Sequence, residues 1–312
     1  MAKRSLPARR VSQTSRDVID VGMGYILALI VIKSAEIIAW YCENVRDLPW
    51  RAEGVTPWGV LLSEVMSHQT QVERVAPIWQ EWIARWPTPA AFAAAGTDEI
   101  LRAWGTLGYP RRALRLKECA QAIVDDHRGT VPDDVDDLLA LPGIGEYTAR
   151  AVACFAYGQN VAVVDTNVRR VYARAERGEE NAKPRKAEIA EVAALLPVEN
   201  GPEFSVGLME LGALVCTARA PKCEKCPVSE CAWVSAGKPA GEVKLPTQKF
   251  AGTDRQVRGK IMRVLRDADA PVPQEAIDVV WPDAAQRSRA LFSLLDDGLA
   301  VQDEHGLFHL PR

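Results

Sequence analysis

The sequence predicts a mainly α-helical chain that ends in a small winged-helix-like module, and three observations carry that prediction. Apolar residues recur at helical spacing from Ser34 onward, with caps and stops at short intervals. Alternating strand patterns are nearly absent before the last fifty residues. A Gly-, Pro- and Lys-rich break, "SAGKPAGEVKLPTQKFAG", then separates the two parts. The expected organisation is an N-terminal extension over 1–33, a helical core over 34–234, a linker over 235–252 and a C-terminal module over 253–312.

At 312 residues, 48% hydrophobic and 25% charged, the chain has room for two or three globular modules. A net charge of -3 and a pI near 5.9 mean that any contact with nucleic acid needs a local basic surface. Residues 1–22, opening on "KRSLPARR", read as a loose extension, with Met23 available as a second start. The apolar run "VGMGYILALIVI" is too short to cross a bilayer and no small-residue cleavage site follows it, so no membrane contact and a cytoplasmic location are expected. Seven cysteines, four of them between Cys216 and Cys231, fit a reducing compartment and a metal site better than a disulfide framework.

The elements follow from local signals. "SAEIIAWYCENV" is a helix that ends before Pro49 of "RDLPW". "WGVLLSEVMSHQTQVERV" has Leu61, Val65, Val72 and Val75 on one helical face, with Glu64, His68 and Gln71 on or beside it. "TDEILRAWGTLG" takes Thr97 as N-cap and Gly108 as its stop, and "RRALRLKECAQAIVDDHRG" stops at Gly129. "DDVDDLLALPG" then leads into "GEYTARAVACFAYG". In the C-terminal module "DRQVRGKIMRVLRDA", "PQEAIDVVW" and "DAAQRSRALFSLLDDG" give three helices, and "LAVQDEHGLFHL" gives two short strands about a turn.

Four features carry chemistry. Glu64 lies in an apolar segment, where a carboxyl is costly unless paired, hydrogen-bonded or used; pairing with His68 at i+4 is the plain alternative. Cys216-x6-Cys223-x2-Cys226-x4-Cys231 puts four thiols within sixteen residues, a ligand set that zinc and an iron-sulfur cluster both accept. "LPGIGEYTA" is a turn between two helices in which Gly143, Ile144 and Gly145 can bring backbone amides to a phosphate, unless it is an ordinary tight turn. Asp165, in "AVVDTNVRRV", sits where it or Thr166 caps a helix, and a capping carboxylate stays ionised in the helix dipole.

Together with "DLPWR", "LLSEVMSHQTQVERV", "WGTLGY" and "LMELGALVCTARAPKCEKCP", these motifs resemble the endonuclease III-like helix-hairpin-helix DNA glycosylases, and within them the MutY-type adenine glycosylases, over about residues 35–233. The resemblance implies a two-lobed fold with a 4Fe-4S cluster on Cys216, Cys223, Cys226 and Cys231 rather than zinc, although the last cysteine gap is four residues where five is commoner. It implies a monomeric, monofunctional enzyme that removes adenine opposite 8-oxoguanine or guanine in double-stranded DNA. Glu64 would be the general acid and Asp165 the group facing the oxocarbenium-like sugar. Tyr147 would line the pocket where strand-cutting relatives carry a Schiff-base lysine, and Asn167 would orient Asp165 or the water. Gln69 and Tyr109 would enter the duplex, with Thr70, Gln71, Leu107, Gly108, Gly143, Ile144, Gly145, Lys222 and Lys225 as further DNA contacts. Arg111, Arg112, Arg115 and Lys117 would grip phosphates or form a solvated face.

Residues 250–312 are too short and too helical for the Nudix-related domain that many MutY-like proteins carry, and "GLFHL" is read either as plain strand or as a reading loop. Two other functions fit parts of the sequence. One is a mismatch thymine or uracil glycosylase on the same scaffold, which needs no protonating Glu; the other is a non-catalytic, metal-stabilised DNA-binding protein, which leaves Glu64, Asp165 and Tyr147 unexplained.

Overall fold

The computed structural model describes residues 31–180, 183–241 and 250–312. The extension before Val31 and most of the apolar run within it lie outside the described residues, as do 242–249 of the expected linker. Among the described residues no helix is long and apolar enough to cross a membrane.

Chain punctuation places the helices. α1 (Ser34–Asn44) precedes a 3-10 turn at Pro49–Arg51, and α2 (Pro57–Ser67) starts where Thr56 accepts the Gly59 amide and Pro57 takes the first helical position. Every residue of α2 from Trp58 to Met66 is buried, so it is a central helix rather than an amphipathic one. It is shorter than its apolar pattern implies. His68 is its C-cap and Gln69 takes a left-handed φ of 56°, so Val72 and Val75 fall on a separate helix, α3 (Val72–Arg85).

α4 (Pro89–Ala93), α5 (Thr97–Trp104) and α6 (Arg111–His127) follow. Two expectations for α5 fail. Gly96 is its N-cap, because the Thr97 hydroxyl is taken by Lys117 Nζ at 3.0 Å, and Gly105, at φ 54°, ends it before Gly108. α7 (Val135–Ala140), capped by Asp134, leads through the hairpin to α8 (Glu146–Tyr157); then come α9 (Thr166–Arg177), α10 (Glu188–Ala193), α11 (Gly201–Leu214) and α12 (Ala232–Ser235).

Among the described residues these helices divide between two large cores and a small cluster of Ala151, Cys154 and Val163. One large core gathers α2 to α8 around Trp58, Trp82, Phe92 and Trp104 and continues into buried residues between Val257 and Leu310; the other joins α1 to α9, α10, α11 and the cysteine loop around Ile37, Val168, Phe204 and Leu211. The second lobe therefore uses both ends of the helical core. Its N-terminal edge is tied down by the amides of Val31 and Ile32, which donate to the Glu176 carboxylate on α9 at 3.0 and 2.6 Å.

The C-terminal segment holds α13 (Asp254–Asp267), α14 (Gln274–Asp278), α15 (Ala284–Asp296) and the antiparallel strands β1 (Val301–Gln302) and β2 (Phe308–His309). Phe308 is 2% exposed and its backbone also bridges Val272, so it is a core strand residue and not part of a reading loop. α13 packs on α5, and Arg102 binds the carbonyls of Arg266 and Ala268 at its end.

Candidate active site

A cleft of about 1060 Å³ is lined by α2, α3, the 49–51 turn, α8, the start of α9 and α11. Glu64 reaches it from α2, Tyr147 from the first turn of α8, and Asp165 and Asn167 from the entry to α9. Glu64 is 9% exposed and its Oε2 accepts the Tyr147 hydroxyl at 2.7 Å; it makes no bond to His68, whose Nε2 lies 3.1 Å from the Thr148 hydroxyl. Burial pushes the Glu64 carboxyl up to about 7, aided by the charge of Asp165 and opposed by the tyrosine hydrogen bond and Arg51. Burial likewise raises Tyr147 well above the usual phenol value, so it remains a donor to Glu64.

Asp165 is the N-cap of α9: its Oδ1 accepts the Val168 amide at 2.7 Å and its Oδ2 accepts Asn167 Nδ2 at 2.8 Å. Burial raises its pKa, and these hydrogen bonds with the charge of Arg170 act against that rise. The Asn167 amide oxygen accepts Arg170 Nη2 at 2.7 Å, and Arg170 in turn donates to the carbonyls of Gly212 and Cys216 at 2.6 Å each. α11 crosses this point so closely that a Cβ on Gly212 would lie 2.6 Å from Asn167 Cβ and 2.8 Å from its carbonyl oxygen. Gly212→Ala is therefore expected to displace Asn167 and Asp165 and slow the reaction in this cleft about 100-fold, with little change in substrate affinity. Single-turnover rates and binding isotherms check this, and a wild-type rate would show that α11 does not set the position of Asp165.

The sequence reading passed over Arg46, Arg51 and Glu210. Glu210 is fully buried on α11 and binds Arg46 at 2.8 and 2.9 Å and Arg51 at 2.7 Å. Arg51 lines the cleft with Nη1 buried and lacking a hydrogen-bond partner. A carboxylate inside the apolar helix "LMELGAL" is the same signal that marks Glu64, and it was available.

The expected DNA-facing residues split by exposure. Gln69, Gln71, Gly108, Tyr109, Gly143, Gly145, Lys222 and Lys225 are exposed. Leu107 and Ile144 bury their side chains, and Thr70 turns its hydroxyl toward the carbonyls of Leu107 and His68. Gln69 and Tyr109 hold left-handed φ values of 56° and 47°, a conformation that costs a non-glycine residue about 1–2 kcal/mol. Gly143, at φ 76°, passes so close to α6 that a Cβ would meet Arg115 Cβ at 2.9 Å, whereas Gly145 has open space. In the basic stretch, Arg112 and Lys117 are internal. Arg112 Nη1 donates to the carbonyls of Val65, Met66 and His68, and its Nη2 to Thr70 Oγ1 and the carbonyls of Leu107 and Gly108. Lys117 Nζ binds the Ala95 carbonyl at 2.8 Å. Arg111 and Arg115 remain exposed, paired with Asp297 and Glu118.

The four cysteines line one cavity of about 150 Å³ with Arg174, Val215, Pro221, Val228 and Trp233, and none of the four is in a disulfide. A cavity ringed by four thiols suits a group held by four thiolates, as an iron-sulfur cluster or zinc is. Arg174 Nη1 lies 3.5 Å from Cys216 Sγ and donates to the Thr217 carbonyl, and its guanidinium sits 4.5 Å from the Trp233 ring centre.

Comparison with known proteins places the chain among the helix-hairpin-helix DNA glycosylases of base excision repair. Residues 62–194 match the HhH-GPD superfamily of base excision DNA repair proteins, and residues 216–230 match the iron-sulfur binding domain of endonuclease III, which assigns the loop to an iron-sulfur cluster rather than zinc. A thermostable thymine-DNA glycosylase structure superposes with a TM-score of 0.61 at 31% identity, covering 65% of this chain and 95% of that one. The chain belongs more narrowly to the adenine DNA glycosylases. It is 58% identical to the adenine DNA glycosylase of Mycolicibacterium smegmatis, over 89% of this chain and 96% of that protein, and 55% identical to that of Mycobacterium tuberculosis, over 90% and 94%.

Proposed function

We propose that this chain hydrolyses the N-glycosidic bond of adenine mispaired with 8-oxoguanine or guanine in double-stranded DNA and leaves the backbone intact. One observation carries the reading: a buried Glu64, hydrogen-bonded by Tyr147 and with a pKa near 7, shares a cleft with the helix-capping Asp165. Adenine leaves deoxyribose poorly as an anion and well once its ring is protonated, so the reaction needs an acid that still holds its proton near neutral pH. Glu64 gives that proton to N7, and the C1′–N9 electrons leave with the base. The sugar develops oxocarbenium character beside the ionised Asp165, which Asn167 and the Val168 amide hold in place. Water adds at C1′ and its proton returns to the Glu64 carboxylate. Tyr147 is no amine and forms no Schiff base, so strand cleavage does not follow.

Gln69 and Tyr109 enter the duplex from the loops after α2 and α5, and the hairpin at Gly143–Gly145 and the cluster-loop residues Lys222 and Lys225 meet phosphates. Cys216, Cys223, Cys226 and Cys231 would hold the cluster, which would serve to fix the shape of the 216–231 loop. The protein acts as a cytoplasmic monomer, with 253–312 as a winged-helix-like module behind a linker over 235–252.

Single-turnover reaction on a duplex with one labelled adenine opposite 8-oxoguanine tests the reading. Strand breaks are expected only after hot alkali. Breaks without alkali would show lyase activity, and no product on adenine with product on thymine or uracil mispairs would assign the scaffold to those bases instead.

A further inference from the structure

Arg174, on α9, is 1% exposed and points its guanidinium into the cysteine loop. Nε donates to the Glu180 carbonyl at 3.0 Å, Nη1 to the Thr217 carbonyl at 2.8 Å and Nη2 to the Ala218 carbonyl at 3.3 Å, while Nη1 also lies 3.5 Å from Cys216 Sγ. The Arg174 carbonyl oxygen lies 3.5 Å from Cys231 Sγ, so the residue stands against both the first and the last cysteine. Trp233, itself 6% exposed, covers the guanidinium, and the chain after it closes over the indole: Trp233 Nε1 donates to the Pro239 carbonyl at 2.9 Å, and the Glu180 carboxylate accepts the Gly241 amide. A buried cation is costly unless a negative charge faces it. The oxygen acceptors of Arg174 are neutral carbonyls, and among the described residues no carboxylate lies within ion-pair distance of it, whereas Arg46 and Arg51 share Glu210 and Arg169 has Glu188. The negative charge in reach is that of the cysteines, once they are thiolates holding a cluster.

We propose that Arg174 is a positioning residue for the iron-sulfur cluster, whose buried charge offsets the four thiolates and raises the potential at which the group gains or loses an electron. Four thiolates around an iron-sulfur core leave a net negative site, and each added electron makes it more negative, so a fixed cation beside it favours the more reduced state. Trp233 and residues 239–241 keep water from the guanidinium, which leaves its field poorly screened. The stacked ring and the three carbonyls also fix the plane of the fork, so the charge cannot swing away from Cys216. This inference rests on the assignment of the 216–231 loop to an iron-sulfur cluster.

The test uses the full-length protein as wild type, Arg174→Gln, Arg174→Lys and Arg219→Gln. Iron content and visible absorbance are recorded for each, and the one-electron midpoint potential is measured by film voltammetry, in which the electrode gives or takes the electron. Arg219 is an exposed cation between Cys216 and Cys223 and controls for a charge that solvent already screens. Arg174→Gln is expected to shift the one-electron equilibrium about tenfold toward the oxidised state, a fall of about 59 mV in potential. Arg174→Lys, which keeps a cation, is expected to recover most of that fall, and Arg219→Gln to leave the potential unchanged. A loaded Arg174→Gln protein at the wild-type potential, or an Arg174→Lys protein that falls as far as Arg174→Gln, would reduce Arg174 to packing and overturn the inference. Where Arg174→Gln holds no iron, Arg174→Lys decides: a retained cluster supports charge as the requirement, and a lost one overturns the inference in favour of guanidinium shape. A colourless wild-type protein carrying zinc would remove the cluster assignment itself.

Discussion

Glu64→Gln is expected to lose base release by at least about 1,000-fold, the upper part of what a general acid contributes, while keeping the cluster absorbance and binding mispaired DNA. Glutamine keeps the shape of the side chain and can accept the Tyr147 hydroxyl, so the loss isolates the proton. The wild-type rate should fall as pH rises through about 7, where Glu64 ionises, and should also fall at low pH as Asp165 takes up a proton, its pKa lying above the ordinary 3.8. Stability carries the same signature. The folded pKa of Glu64 is raised from 4.5 to about 7, so its contribution is fully present below 4.5 and is lost as pH rises through 7. By that linkage wild type loses about 3 kcal/mol between those limits relative to Glu64→Gln, which has no proton to lose. Melting temperatures of the two proteins from pH 5 to 8.5 check this; parallel curves, or a Glu64→Gln variant that still releases adenine, would remove Glu64 from the acid role.

Arg112→Met is expected to lower stability by about 3 kcal/mol and single-turnover activity by more than tenfold. The guanidinium donates to three carbonyls at the end of α2 and to three acceptors in the 70 and 107–108 loops, so its removal strands several partly buried acceptors at once. It also joins the two loops that hold Gln69 and Tyr109 in left-handed backbone. Without that anchor, each loop can relax away from the strained geometry. Arg112→Lys should recover only part of both effects, because an ammonium cannot span both sets of acceptors as the planar guanidinium does. A melting point within a degree of wild type would show that water replaces the guanidinium at little cost.

What the sequence revealed follows from how local each signal is. The helix starts and stops were readable where a cap or proline acts on its neighbours, as at Pro49 and Asp165. They failed at Thr97, where a lysine from α6 takes the capping hydroxyl, and at His68, where an apolar stripe continues across the turn between two helices. Glu64 stood out because a carboxyl among apolar neighbours needs a reason. Its partner, Tyr147, comes from another helix and no spacing rule links the two. Arg112 escaped for the same cause: a basic residue beside other basic residues looks like a phosphate contact or a solvated face, and only the fold shows that its acceptors are carbonyls and the Thr70 hydroxyl. The pairing of Arg46 and Arg51 on Glu210 joins two distant segments and is equally invisible in one dimension.

The lobes also imply an order of assembly. α2 to α8 are contiguous and can begin to pack before residues 257–310, which share their core, are synthesised, whereas the other lobe must bring α1, from the start of the helical core, onto α9 and α11 near its end. Glu64 belongs to the early lobe and Asp165 to the late one. A nascent chain therefore carries Glu64 well before Asp165 has been fixed by α9 and α11, and the two carboxyls come to share one cleft only once both lobes have formed.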